Sequence, residues 1–165
     1  MGVVVVGVDL SSTSTVALHE AIREAIWRDC SVHVLYVLTM PAYTGFEPGS
    51  IRFDLDTMQQ AGEAVLEEHL DAVEATYEGG FPVEVARQVT IGHTGTQILR
   101  AAAEHDAELV VLGSRGLGGF RGLMVGSVTT YAIHHLECRL LVVPAENEDK
   151  NEDKNEDKNE DKKEN

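Results

Sequence analysis

The chain contains 165 residues with 43% hydrophobic and 25% charged side chains, a composition typical of a single globular domain. No stretch reaches the roughly 18 apolar residues of a membrane helix, and the start before Asp9 lacks a signal peptide or lipidation motif, so we expect a cytoplasmic protein without a membrane span. The net charge of −15 argues against nucleic acid as a partner, because binding to phosphates requires clustered lysine and arginine.

Five short runs of β-branched and aliphatic residues predict the strands of a parallel sheet. They are Val3–Val8, Val32–Leu38, Val83–Thr90, Leu109–Leu112 and Leu140–Val143. Apolar runs of this length are typical of strands that are buried on both faces of a sheet.

Segments with a helical spacing of apolar residues lie between these runs. The expected helix starts are Ser12 or Thr13, Asp54 or Asp56, Thr94 or Thr96, and Gly126–Ser127. Strands and helices that alternate in this way pair in parallel through right-handed crossovers. The predicted fold is therefore a three-layer, Rossmann-like α/β sandwich around a five-stranded parallel sheet.

The carboxyl ends of the strands form the predicted ligand-binding edge of this sheet. Ligands of open α/β sheets bind beyond these ends, where the strand order reverses, so the loops after the first and fourth strands are the candidates. Residues 40–53, which contain two prolines and two glycines, are predicted to form a mobile flap over the same edge.

The C-terminal residues 146–165 differ in composition from the rest of the chain. They repeat NEDK four times and hold ten acidic residues, five lysines and no aliphatic or aromatic side chain. Nothing in this segment can offset the entropy of ordering it, so we predict a domain over residues 1–145 and a disordered, low-complexity acidic tail over 146–165. The tail is interpreted as a solvating extension, with an interaction tail as the alternative.

A glycine-rich loop follows the fourth predicted strand. Its sequence, GSRGLGGFRGLMVGSV at residues 113–128, places two residues between Gly113 and Gly116 and nine between Gly116 and Gly126. Glycines permit left-handed or closely approaching backbone, and a left-handed Gly126 would resist a β-branched side chain. The helix expected at Gly126–Ser127 would direct its unsatisfied N–H groups to the same place. This arrangement favours a phosphate group as ligand.

Other phosphate-binding and catalytic motifs do not fit the sequence. A Walker loop requires a lysine after the first strand, yet all five lysines lie in the tail. A G-x-G-x-x-G pattern begins at Gly116 and Gly118 but meets Arg121, and it follows the wrong strand. The seven histidines lack metal-ligand spacing and no nucleophile with its base can be placed, so neither a metal site nor a catalytic residue is predicted.

The glycine loop resembles the ATP-binding motif G-x2-G-x9-G-[S/T] of the universal stress protein family. The likeness covers most of residues 3–144, including the opening VGVDLS, the fourth strand with its loop, and ECRLLVVP at the last strand. It implies an α/β domain with strand order 3-2-1-4-5 that binds ATP, with or without Mg²⁺, and a homodimer in which the last strands pair. Many relatives have Cys-Pro where this chain has Cys138-Arg139, a departure at the implied dimer edge.

The resemblance also implies which residues contact the nucleotide. Gly7 and Asp9 would lie at the end of the first strand, with Asp9 facing the ribose and the adenine, and the main chain around Val37 would contact the adenine edge. One group of loop residues would wrap the α- and β-phosphates, and a second would donate to the phosphate tail from N–H and hydroxyl groups. The first group is Gly113, Arg115 and Gly116, and the second is Gly126, Ser127, Val128 and Thr129.

The predicted function is that of an ATP-binding, nucleotide-dependent regulatory or sensing module in the stress response, with an unidentified regulatory protein as partner. Two other interpretations stay open: a slow ATPase of the same fold and a nucleotide-free dimeric interaction module. The lack of an evident general base argues that any hydrolysis is slow. Arg121 is left open between a phosphate contact and a solvated position on the loop.

Overall fold

The structure is a computed structural model that describes residues 2–39, 54–116 and 125–145. Five strands form one sheet at its centre. The strands are β1 (Gly2–Val8), β2 (Cys30–Leu38), β3 (Val85–Ile91), β4 (Leu109–Gly113) and β5 (Arg139–Val143). Their order in the sheet is β3-β2-β1-β4-β5, and every neighbouring pair is parallel. The predicted strand order is therefore confirmed.

Four helices cover the two faces of this sheet: α1 (Ser12–Arg28), α2 (Leu55–Glu74), α3 (Thr94–Glu104) and α4 (Ser127–His135). On one face α1 contacts β1, β2 and β4, and α2 contacts β2 and β3. On the other face α3 contacts β1 and β2, and α4 contacts α3 and β5. These three layers confirm the predicted Rossmann-like α/β sandwich in a single domain. No helix within the described ranges is long and apolar enough to pass through a bilayer.

The valines of β1 show how the sheet is buried. Val4 and Val6 belong to the apolar cluster beneath α1 and α2, whereas Val5 belongs to the cluster beneath α3 and α4, and all three are fully buried. Successive side chains of a strand point to opposite faces, so a central strand between two helical layers is apolar at every position. The uninterrupted valines of the sequence therefore serve two cores at once.

The pairing of β1 with its two neighbours opens a crevice at the carboxyl edge of the sheet. β1 pairs with β2 through to its last residue, Val8, but its pairing with β4 stops at Val6↔Val111. β2 continues beyond the end of β1 to Leu38, with β3 alone beside it. The crevice lies where the strand order reverses, which is the position at which open α/β sheets bind ligands.

Two helices begin at other capping residues than those predicted. α1 is capped by Ser11, whose hydroxyl accepts a 3.2 Å hydrogen bond from the N–H of Ser14, so the predicted Ser12 or Thr13 comes too late. α3 is capped by the ring of His93, and the two predicted threonines lie inside the helix. Histidine is not among the usual capping residues, which is why the pattern alone did not indicate it.

The start of β3 also differs, whereas the start of α2 agrees with prediction. β3 begins at Val85 rather than Val83, because the chain bends at Pro82 and Val83 before it enters the sheet. Val83 still packs against the apolar cluster beneath α1 and α2. α2 is capped by Asp54, as its side-chain type indicated.

Three predictions fall on residues outside the described ranges. They are the flap at 40–53, the role of Arg121 and the tail at 146–165. These stay predictions from the sequence, as does the domain boundary at residue 145.

Candidate functional site

A cavity of about 580 Å³ opens at the carboxyl edge of the sheet, in the crevice between β1 and β4. Its walls come from the ends of β1, β2 and β4 and from the first turns of α1, α3 and α4. Every residue that the sequence analysis named for nucleotide binding lines it: Gly7, Asp9, Val37, Gly113, Arg115, Gly116, Gly126, Ser127, Val128 and Thr129. Residues that are far apart in the chain thus come together around one cavity.

Asp9 is held in one orientation by the residues that follow it. Its Oδ1 accepts hydrogen bonds from the N–H of Ser11 at 3.1 Å and from the Ser11 hydroxyl at 2.5 Å. Leu10 has a left-handed backbone, with φ of 65°, which turns the chain back so that both bonds can form. The carboxylate therefore has a fixed place in the wall of the cavity, at the end of β1.

Two glycines of the loop lie too close to their neighbours to carry a side chain. A Cβ atom on Gly116 would collide with Oδ2 of Asp9. One on Gly113 would lie 2.9 Å from Cγ2 of Thr13 and 3.0 Å from the carbonyl oxygen of Arg115. The loop after β4 therefore meets the loop after β1 across the crevice, and the absence of side chains permits this contact.

The backbone of Gly126 differs from the prediction. Its φ is −72° and its ψ is 163°, an extended conformation, so the expected left-handed backbone is wrong. A Cβ atom there would lie 3.4 Å from the carbonyl oxygen of Ser114 and 3.7 Å from Cα of Arg115, which are ordinary contacts. The fold itself accepts a side chain at Gly126, and the space that a larger one would enter belongs to the cavity.

The first turn of α4 presents main-chain N–H groups to the cavity. Its N-cap is Gly126, and no side chain among the described residues caps the helix, whereas side chains cap α1, α2 and α3. The Gly126 N–H donates to the carbonyl of Ser114 at 2.7 Å. The next three N–H groups, of residues 127–129, have no acceptor within a helix, and the helix dipole adds partial positive charge at the same end. The arrangement suits an anionic group, as expected for phosphate.

The hydroxyl of Thr129 has another role than the one predicted. It donates a 2.8 Å hydrogen bond to the carbonyl of Gly113, and the residue is only 2% exposed. In this structure the hydroxyl hydrogen of Thr129 is thus used within the protein, and the contact of Thr129 with a phosphate stays a prediction that its N–H group can still meet. Ser127, the first residue of α4, is exposed and lines the cavity.

The opposite part of the cavity is apolar. Leu35 and Val37 of β2, Ile98 of α3 and Leu112 of β4 line it. β1 ends opposite Tyr36, so the next residue of β2, Val37, has no partner in β1. On the side that faces β1, the main chain at Val37 therefore borders the cavity. A flat apolar group with hydrogen-bonding edges fits such a wall.

Charged side chains are few at this site. Of the described residues that line the cavity, Asp9 and Arg115 alone carry a charge. Within the described ranges no group of three or more His, Cys, Asp or Glu side chains is arranged to hold a metal ion. Binding of an anion here would therefore rest mainly on N–H groups, with Arg115 as the cationic side chain.

Sequence reasoning passed over several residues that build the site. Ser14 and Thr94 line the cavity, and the carbonyl of Ser114 accepts a hydrogen bond from the N–H of Gly126. Ser114 occupies one of the two variable positions of the motif, so the spacing of the glycines gave no signal for it. The rule that helices start at the carboxyl edge of such a sheet could have identified the first turns of α1 and α3 as parts of the site.

These features define a class, the Rossmann-like α/β domains with a cavity at the topological switch point of the sheet. The model of the universal stress protein family matches residues 1–144. The chain therefore belongs to the universal stress protein family, as the resemblance of the glycine loop indicated.

Individual relatives agree with this assignment. Universal stress protein Rv2623 of Mycobacterium tuberculosis is 35% identical over 125 residues, which are 76% of this chain but 39% of that protein, so the chain spans well under half of its length. Universal stress protein UspA from Lactobacillus plantarum, a solved structure, is 25% identical with a TM-score of 0.70 and covers 86% of this chain and 97% of its own.

Two further solved structures share the fold and are described with a nucleotide. A universal stress protein in complex with cAMP is 22% identical, with a TM-score of 0.63 over 86% of this chain and 96% of its own. The universal stress protein from Archaeoglobus fulgidus in complex with dAMP is 20% identical, with a TM-score of 0.60 over 87% of this chain and 98% of its own. At such identity the likeness shows the fold alone.

Proposed function

We propose that this protein binds an adenine nucleotide in the cavity between β1 and β4 and acts as a nucleotide-dependent regulatory module. One observation carries the proposal. All the residues that the sequence predicted for nucleotide binding line the same cavity as the N–H groups at the start of α4. The family neighbours in complex with cAMP and dAMP support adenine nucleotide as the ligand class.

The phosphates would bind at the loop and the start of α4. The N–H groups of residues 127–129 and the side chain of Arg115 supply the donors, and the loop glycines leave the space. Such sites stabilise negative charge with preorganised dipoles, which need no rearrangement when the ligand arrives.

The nucleoside would occupy the other half of the cavity. The adenine would pack between the apolar side chains of β2 and α3, with its polar edge against the main chain at Val37. Asp9 would accept a hydrogen bond from the ribose, since its carboxylate is fixed at the end of β1 between the two halves. A carboxylate in that place favours a ribose hydroxyl over a phosphate oxygen.

The high negative charge of the chain does not oppose this ligand. The net charge is −15, but charges beyond about 8–10 Å are screened at ordinary ionic strength, so the groups in the cavity wall decide. Arg115 and the α4 dipole have the sign that phosphate requires. Mg²⁺ carried by ATP would add to them.

Regulation would pass to a second copy and to a partner protein. β5 is one of the two edge strands of the sheet, and Leu140, Leu141 and Val142 are partly exposed on it. An edge strand offers unpaired main-chain groups to another strand, so we include a homodimer through β5 in the proposal. The partner would be a regulatory protein in the cytoplasm that distinguishes the nucleotide-bound from the empty form.

Mass spectrometry of nucleotide that co-purifies with the protein tests the proposal directly. Isothermal titration with ATP, ADP, AMP and cAMP, each with and without Mg²⁺, then ranks the ligands. We expect an adenine nucleotide to be found and to bind in the micromolar range or tighter. The proposal fails if none co-purifies and millimolar ATP with Mg²⁺ shows no binding, which would favour a nucleotide-free interaction module. Steady release of phosphate that Asp9→Ala abolishes would instead show a slow ATPase.

A further inference from the structure

Ser114 connects three elements at the phosphate end of the cavity. It follows β4 and is 9% exposed. Its N–H donates to the carbonyl of Val143 at 2.6 Å, its carbonyl accepts from the N–H of Gly126 at 2.7 Å, and its hydroxyl oxygen accepts from the N–H of Ala145 at 2.9 Å. The end of β4, the end of β5 and the start of α4 therefore meet at one residue.

Only the third of these bonds depends on the side chain. The bonds to Val143 and Gly126 use the main chain of Ser114, and any residue with an N–H could form them. The bond from Ala145 requires an acceptor at the Oγ position. Serine therefore differs from alanine at this position in one respect: its hydroxyl accepts a hydrogen bond from Ala145, which follows β5.

The position of Ser114 also sets the position of the first turn of α4. No side chain caps this helix, so its start is located by the Ser114 carbonyl, which accepts from Gly126, and by the bond from Thr129 to Gly113. N–H groups that bind an anion must be held to within about half an ångström to act together. A looser Ser114 would therefore loosen the donors of residues 127–129.

We propose that Ser114 is a positioning residue of the nucleotide site: its main chain bonds to the start of α4 and to the end of β5, and its hydroxyl holds the residue after β5, Ala145, so that these bonds keep their geometry. This inference rests on the proposed function and adds a route by which a bound phosphate and the β5 edge influence each other. Ser114 itself makes no contact with ligand in the proposal. Its effect is expected in the phosphate half of the cavity, because the apolar half is built mostly from β2 and α3 and its one β4 residue, Leu112, is held in the sheet opposite Val142.

Titration of Ser114→Ala with adenosine and with ATP plus Mg²⁺ tests this role. Loss of one hydrogen bond of ordinary strength corresponds to about fivefold in affinity, and we expect that loss for ATP with adenosine unchanged. Ser12→Ala is the matched control, since Ser12 is exposed and does not line the cavity. Ser114→Thr keeps a hydroxyl and is expected to restore the ratio of ATP to adenosine affinity. An equal loss for both ligands, or no loss for ATP, overturns the proposal.

Hydrogen exchange of the ligand-free proteins separates this inference from the proposed function. We expect Ser114→Ala to speed the exchange of the hydrogen-bonded amides of Gly126, Thr130 and Ala145, relative to wild type and to Ser12→Ala. Unchanged exchange in both segments overturns the positioning role whatever the ligand. Faster exchange in Ser114→Ala, together with a wild-type protein that binds no nucleotide, would show that the positioning role is real and that the proposed function is wrong. Melting temperatures identify any variant that has failed to fold.

Discussion

The hydroxyl of Thr129 donates a hydrogen bond to the carbonyl of Gly113 at 2.8 Å, which joins the first turn of α4 to the end of β4. Both partners lie at the floor of the cavity, and Thr129 is almost completely buried. The side chain of Thr129 is thus an internal support of the site, whereas its N–H group remains among the proposed donors. Its side chain organises the N–H groups that remain for the ligand.

Replacement of Thr129 by valine removes this bond and keeps the volume of the side chain. We expect a loss of about 1–3 kcal/mol in the free energy of unfolding, because the Gly113 carbonyl then lacks its partner in a buried place. Urea denaturation measures the loss. Thr129→Ser should recover most of it, and Thr130→Val, an exposed change on the same helix, should cost little. Equal stability of Thr129→Val and wild type would contradict the assignment of the hydrogen bond.

Replacement of Gly126 by valine tests the cavity as the nucleotide site. The backbone is extended and a Cβ atom meets only ordinary contacts, so we expect a folded protein with stability within about 1 kcal/mol of wild type. The branched side chain would occupy space that the phosphates need, so ATP binding should be lost. Calorimetric titration beside a melting curve measures both quantities. A folded Gly126→Val protein with full affinity would count heavily against the proposed pocket.

Gly126→Ser gives a milder comparison at the same position. A serine at the N-cap accepts a hydrogen bond from the first turn of a helix, so we expect the free energy of unfolding to be unchanged or higher by a few tenths of a kcal/mol. The same bond would occupy an N–H group proposed for the phosphates. ATP affinity should therefore fall while stability does not, a divergence that a purely structural role of Gly126 would not produce.

The sequence was informative about the fold and the place of the site for physical reasons. A parallel sheet with two helical layers demands continuous apolar strands, and the motif glycines Gly113 and Gly116 mark the loop at the switch point. The backbone of Gly126 could not be predicted, because glycine adopts extended and left-handed conformations equally well. The bonds of Ser114 and Thr129 depend on where β5 and α4 come to lie, which only the assembled fold determines.

Deletion of residues 147–165 should leave the folded domain and its ligand affinity nearly unchanged. The segment has no apolar side chain to bury, and the influence of a solvated charge falls off beyond about 8–10 Å at ordinary ionic strength. Melting temperature and ATP titration of the shortened chain, measured in parallel with the full chain, check both expectations. A large drop in melting temperature would overturn the interpretation of this segment as a solvating tail.

Stability should decrease in mild acid because of two histidines, the buried His33 and the half-buried His69. Burial lowers the pKa of both His33 and His69, and the neighbouring His105, with ring centroids 4.0 Å apart, lowers that of His33 further. At pH values above the ordinary histidine pKa of about 6.5, both histidines are neutral in the folded and in the unfolded chain. The free energy of unfolding does not depend on their titration there. Below it the unfolded chain takes up protons that the folded chain does not. The free energy of unfolding should then fall by up to about 1.4 kcal/mol per pH unit for each histidine.

His69→Leu separates one of these contributions from the other. Nε2 of His69 is buried and has no hydrogen-bond partner among the described residues, so leucine should raise the free energy of unfolding by about 1–3 kcal/mol even at pH 7.5. The gain should grow as the pH falls below 6.5, since the protonation cost of His69 is removed. Denaturation curves between pH 7.5 and 5 measure both effects, with His134→Gln as an exposed control that should change neither. A gain that stays constant across this range would show that His69 titrates alike in the folded and unfolded chain.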